Sequence, residues 1–470
     1  MGHPVRPQKE ERPGSRCEGR PGSLTGRAPA WFSTRMSGRL VAALARTAIG
    51  AACGIGLAFL ATSTRAEVPI EELGRVETLP EPPGAHWVWV ADPVLERSAL
   101  VDLDSGDFLG MVDGGFGIAV PLVAASRPEL YVPETFYSRG SRGERTDVLT
   151  IYDRPRLAPI AEVVLPPKRG ISAVPFAHAA LTDDDRFAAI FNLTPATSLS
   201  IVDLASRSFV GEIETPGCSL VYPAGSRRLL SLCNDGSLLV VTLDEAGREA
   251  SKRRTKPFFD PERDPIMECG ARRGDRWYFL TIDGVVHGID PSGDEPRFDA
   301  PWSLLGEDLT SPPPPAATAA ADEERWRPGG RTLAAIHEAT GRLFVLMHEG
   351  GGPETYKDPG TEVWVYDLDR RIRVARIELE NSGLTIMAVP LEFGSTWTWP
   401  FDRLSPFLFG LLPALVEEIA VTQGDAPLLV TSASFAGGLG VYDASDGTFL
   451  RRAYSGNLTN TALHVAGGDS

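Results

Sequence analysis

The stretch LVDLDSGDFLGMV, Leu100 to Val112, decides how this chain folds. A short apolar run, an aspartate leading into small polar residues and a glycine, and a second apolar run are what two antiparallel strands joined by a tight turn require. The phrase recurs as LTIYDRPRLAPIAEVVL, LSIVDLASRSFVGEI, LVVTLDEAGREA, VHGIDPSGDEPRF, VWVYDLDRRIRVARIEL and LGVYDASDGTFLRRA, which makes seven copies. Aligned on Asp102, Asp153, Asp203, Thr242, Asp290, Asp367 and Asp443, they are spaced by 51, 50, 39, 48, 77 and 76 residues. The first four spacings suit one four-stranded sheet per repeat. Each unit is expected to turn alternating apolar residues to one side, and one such sheet cannot bury its faces alone. Seven packed radially do so and leave few open edges, so the expected fold is all-β, a seven-bladed β-propeller. An array of open β-sandwiches is the competing arrangement, and the WD40 variety is disfavoured because no WD or GH pair occurs at repeat spacing.

The two long spacings each hold a visible insertion. Leu309 to Gly330, LTSPPPPAATAAADEERWRPGG, is too rich in proline for a central strand and reads as a surface excursion. Residues 387–416 include LSPFLFGLLPALV, too short and proline-broken to cross a membrane. That segment either packs against the propeller or presents an apolar docking surface. Residues 67–470 are otherwise read as one propeller domain.

The first 66 residues read differently. Arg39 and Arg46 precede the uncharged run Thr47 to Ala61, and ATSTRA ends on a small residue before Glu67, the pattern of an export signal cleaved near Ala66. Met36 is the expected start, residues 1–66 the expected extension and leader, and the periplasm the expected destination. A membrane anchor is the competing reading, but the run is shorter than the roughly 20 residues a span needs, so no transmembrane span is expected in the mature chain. Residues 1–66 hold 10 of the 46 basic and 3 of the 62 acidic side chains, leaving 36 against 59. A mature net charge near −23 excludes phosphate backbones, and so nucleic acid, as partners. In an oxidising compartment two of Cys218, Cys233 and Cys269 can pair. CSLVYPAGSRRLLSLC reads as a hairpin whose ends face each other, so a Cys218–Cys233 disulfide is expected, with three reduced thiols as the alternative. The histidines are scattered singly and no CxxC or HxxxH occurs, so no metal site is expected.

Catalytic constellations are missing from the sequence: no GxSxG, Walker A loop, HExxH or CxxCH. Asp183, Asp184 and Asp185 sit in LTDDDRF, which reads as a solvated turn. What stands out is FYSRGSRGERTDVLTIYD, Phe136 to Asp153, with Arg139, Arg142, Glu144, Arg145 and Asp147 crowded before a strand. Together with MVDGGF, Met111 to Phe116, it resembles the heavy subunit of the quinoprotein amine dehydrogenases, the methylamine and aromatic amine dehydrogenases. The likeness continues in IAEVVLPP, TPGCSLVYPAGSRRLLSLCNDGSL, WRPGG and VWVYDLDRRIRVARIEL, from about residue 70 to the C terminus. The resemblance implies a periplasmic propeller that holds a small disulfide-rich light subunit in an α2β2 assembly. It also implies a tryptophan tryptophylquinone carried by that light subunit, with no cofactor and no complete active site in this chain. Such an enzyme oxidises a primary amine to aldehyde and ammonia and passes electrons to a type 1 copper protein or a cytochrome c. Phe116 matches the heavy-chain phenylalanine that lines the amine channel, and the five charged residues are expected to form a network fixing the loop beside it on the subunit face. GIAVPLV after DGGF and the 387–416 insertion depart from the family pattern, which makes the chain a divergent member. The alternative is an exported propeller scaffold without a quinone partner.

Overall fold

A computed structural model of the protein describes residues 78–117, 119–171, 177–306, 326–350, 353–380, 415–433, 438–453 and 462–466. These fall in one compact unit, Val76–Ser470. Their strands form seven separate antiparallel sheets, the blades of a β-propeller, and no α-helix occurs among them. Blade 2 shows the common pattern: Leu122–Val123 innermost, then Glu129–Arg139, Arg142–Asp153 and Ala158–Leu165. Blade 1 is made from both ends of the described chain. Ala462–Val465 supplies its innermost strand by pairing with Trp87–Asp92, and Arg97–Asp102 and Phe108–Asp113 follow outward. That pairing closes the ring without a covalent link.

All seven repeat anchors fall in the third strand of a blade, counted from the axis, and six of them end that strand. The aspartate side chain then shapes the turn. Asp203 Oδ1 accepts hydrogen bonds from the backbone N–H of Ala205 and Ser206 at 2.9 and 3.0 Å, and Asp443 Oδ1 accepts one from Ser445 at 2.8 Å. Such side-chain capping is the reason aspartate favours turns. In the fourth blade Asp244, two residues after Thr242, takes this role for Ala246 and Arg248.

The middle strands are buried on both faces. Ser198–Asp203 and Phe187–Asn192 are buried at every residue, while outer strands such as Glu249–Arg254 are exposed or half-exposed throughout. The alternation expected from the repeat is therefore absent from these middle strands. Neighbouring blades cover both faces of the middle strands, which must read as near-continuous apolar runs.

Cys218 faces Cys233 across the first two strands of the fourth blade, and the two form a disulfide. Cys269 is free and buried, its thiol pushed up to about 12 by burial. The end of the proline-rich insertion differs from the expected surface excursion. Arg327–Pro328 pairs with His348 and Met347 in the sixth blade, and Trp326 is buried against Trp364, with ring centroids 5.5 Å apart. Residues 307–325, most of the 387–416 insertion and the whole of 1–66 lie outside the described residues.

Candidate functional site

Two strands of blade 2 are longer than the others: Glu129–Arg139 has 11 residues and Arg142–Asp153 has 12, against six for most middle strands. At about 3.3 Å per residue the hairpin runs roughly 15–20 Å past its neighbours. It projects from the face opposite the aspartate turns, because its far end, Arg139 opposite Arg142, is remote from Asp153. Phe136, Arg139, Arg142 and Glu144 are exposed there.

The loop after the outer strand of blade 1 crosses the base of this hairpin. Gly115 has φ +59°, and a Cβ there would lie 2.9 Å from the Thr135 carbonyl oxygen. Gly117 has φ +83°, and its Cβ would meet the Ile171 carbonyl oxygen at 2.7 Å. A side chain at Gly115 would push the loop off the hairpin and one at Gly117 would push it off the connector at Ile171, so these glycines of DGGFG let the Phe116 backbone lie close to both. The Phe116 N–H donates to Thr135 O at 2.7 Å, and the half-buried ring meets Tyr137 edge-on, centroids 5.2 Å apart at 87°.

Beneath Phe116 lies a polar cluster centred on Asp147, whose side chain is fully buried. Arg145 donates to it twice, Nε to Oδ1 and Nη2 to Oδ2, each at 2.8 Å. The Thr135 hydroxyl donates to Oδ1 at 2.9 Å and the Arg169 N–H to Oδ2 at 2.8 Å. Arg169 is 2% exposed and reaches two ways: Nε donates to Thr135 Oγ1 at 3.0 Å, and Nη2 to the Phe116 carbonyl at 3.3 Å. Burial lowers the Arg169 guanidinium to about 10, with Asp147 opposing, so it stays charged at neutral pH. Arg145 also holds the Arg169 carbonyl, at 2.6 Å.

Glu134, one residue from Thr135, is 1% exposed. Its Oε2 accepts from the Thr150 hydroxyl, while Oε1 has no hydrogen bond. Burial first, then the charges of Asp113 and Glu162, raise its carboxyl to about 7, against the pull of Thr150 and Arg169.

A hollow of about 620 Å³ runs along the axis and is lined by inner strands of all seven blades, with Ala180, Ala271, Ala334 and Ala420 among the small residues. At its edge Arg272 pairs with Asp183 at 2.6 and 2.8 Å; Asp184 is held by Arg227, and Asp185 accepts from Ser126. Asp183 and Asp184 are exposed in the turn between the first two strands of blade 3, as the sequence suggests, and pair there with arginines of blades 5 and 4, while Asp185 is buried. Among the described residues no group of three or more His, Cys, Asp or Glu is placed to hold a metal ion.

Residues 84–389 match the methylamine dehydrogenase heavy chain (MADH) family. The chain belongs to that family. The methylamine dehydrogenase heavy chain of Methylorubrum extorquens is 28% identical over 308 residues, 64% of this chain and 71% of that one. The Methylophilus methylotrophus heavy chain is 26% identical over 367 residues, 77% and 79% of the two chains. A functionally unknown protein from Desulfotomaculum acetoxidans, 12% identical with a TM-score of 0.50, covers 82% of this chain and is covered completely, a likeness of fold alone.

In this heavy-chain family member the structure brings Phe116, Arg145 and Asp147 together. Arg139, Arg142 and Glu144 do not join them. The hairpin outruns the blade, which leaves those three side chains at an exposed tip, and among the described residues none makes an ion pair. Sequence reasoning missed Glu134, Thr135 and Arg169. The first two left a trace, a polar pair inside the apolar strand ELYVPETFYSR, whereas Arg169 sits in a connector, KRG, that carries no local signal.

Proposed function

We propose that this chain is the heavy subunit of a periplasmic amine dehydrogenase, exported by a leader cleaved near Ala66. It holds a light subunit bearing tryptophan tryptophylquinone, in an α2β2 assembly. The quinone would accept the electrons of a primary amine, which leaves as aldehyde and ammonia, and a type 1 copper protein or cytochrome c would take them onward. Phe116 forms a wall of the amine channel, and the exposed hairpin beside it faces the light subunit. The observation that carries this reading is the held position of Phe116: Gly115 lays the loop on the hairpin and Gly117 lays it on the connector at Ile171, with the ring against Tyr137 and half open to the surface.

An aromatic wall contributes shape and apolar contact, which separate small from bulky amines by about 1–3 kcal/mol, or roughly 10- to 200-fold in kcat/KM. Purification from the native periplasm should yield a quinone absorbance that travels with a short second chain, and a colourless homogeneous protein overturns the reading. In the reconstituted complex Phe116→Ala should shift the ratio of kcat/KM for methylamine and a bulky arylalkylamine within that range. An unchanged ratio removes Phe116 from the channel.

A further inference from the structure

We infer that Arg169 is the positioning residue for Phe116: its buried guanidinium fixes the carbonyl of Phe116 and thereby the aim of the ring that selects the amine. The role in selection rests on the channel reading above, while the positioning stands on geometry. Phe116 is held from both sides of its backbone. Its N–H is bound by Thr135 O, and its carbonyl is bound by Arg169 Nη2, whose Nε is tied to the hydroxyl of the same Thr135. The two clamps thus share one residue of the hairpin.

Arg169 is itself immobilised. Its N–H is bound by Asp147, its carbonyl by Arg145, and its backbone forms a bridge with Asn192 of blade 3, flanked by Gly170 N–H to Phe191 O at 3.0 Å and Leu193 N–H to Lys168 O at 3.0 Å. It therefore connects three parts of the ring: the Phe116 loop leaving blade 1, the hairpin of blade 2 and the second strand of blade 3. A planar fork that reaches two acceptors in fixed directions suits this task, and a lysine ammonium does not reproduce it. The carboxylate below decides which substitution isolates the geometry: with Asp147 buried, a neutral residue at 169 would leave the centre of the cluster short of a cation, whereas Arg169→Lys retains one.

The test uses the reconstituted complex and three variants, Arg169→Lys, Phe116→Ala and the double variant, with Thr135→Val as a second way to break the clamp should Arg169→Lys fail to fold. Two quantities are read. Amide hydrogen exchange of the Phe116 N–H reports the clamp without reference to activity, and it should quicken at least tenfold in Arg169→Lys or Thr135→Val. Unchanged protection overturns the positioning role. The amine ratio reports selection: Arg169→Lys should shift it in the direction of Phe116→Ala, and the double variant should shift it no further than Phe116→Ala alone. An additive effect in the double variant means that Arg169 acts elsewhere and overturns the inference. If Phe116→Ala leaves the ratio unchanged while exchange quickens in Arg169→Lys, the channel reading fails and the positioning role stands.

Discussion

Glu134 makes the stability of this propeller depend on pH in a direction opposite to that of most carboxylates. Its carboxyl ordinarily titrates at 4.5 and is raised to about 7 in the fold, chiefly by burial. The folded state therefore binds this proton more tightly than the unfolded chain. Stability from the neutral form is fully present below about 4.5, declines as pH rises, and is lost once pH passes about 7. The difference of about 2.5 units, at 1.36 kcal/mol each, corresponds to about 3 kcal/mol. Glu134→Gln removes the titration while keeping the shape and the oxygen that accepts from Thr150. Urea unfolding of the mature chain and the variant, from pH about 5 to about 8, should show wild type losing about 2.5 kcal/mol relative to Glu134→Gln, the greater part of the full difference. Difference infrared titration should show a protonated carboxyl band disappearing near pH 7 in wild type only. Parallel stability profiles for the two proteins would mean that Glu134 titrates normally and that its burial is relieved by solvent or a partner.

Two further outcomes follow from the packing around the same face. Arg145→Ala leaves buried Asp147 without its two-point partner and should cost about 2–4 kcal/mol and weaken light-subunit association, whereas Arg248→Ala, with a mostly exposed side chain paired to Asp244, should cost under about 0.5 kcal/mol. Equal effects in denaturation and co-purification would reduce the Asp147 cluster to surface chemistry. Replacing Cys218 and Cys233 together by serine opens a link spanning 15 residues and should lower stability by about 3 kcal/mol, read as a drop in the unfolding midpoint that reductant reproduces in wild type. A midpoint indifferent to both changes would show that the blade holds its register without the bond.

How much could be read beforehand is clear from particular residues. The aspartate turns mark the third strand of every blade because turn formation is local: a carboxylate reaches backbone N–H groups two or three residues on, as at Asp203 and Asp443. Phe116 was legible through DGGF, where the two glycines announce a close backbone approach without saying what is approached. The charge-rich stretch was only half legible. Arg139, Arg142 and Glu144 have the same composition as Arg145 and Asp147, and what separates them is their height along a hairpin that outgrows its blade.

The amino-acid sequence by itself determined the all-β class, the number of blades and the facing cysteines, because short apolar runs, turn capping and hairpin register act over a few residues. The tertiary structure alone decided which charges are buried, that the final strand Ala462–Val465 closes the first blade, and that Glu134, Thr135 and Arg169 meet beneath Phe116. These residues belong to three different segments, and burial and dielectric are properties of the packed ring: no spacing rule along the chain encodes the 53-residue separation that brings the Arg169 guanidinium to the Phe116 carbonyl.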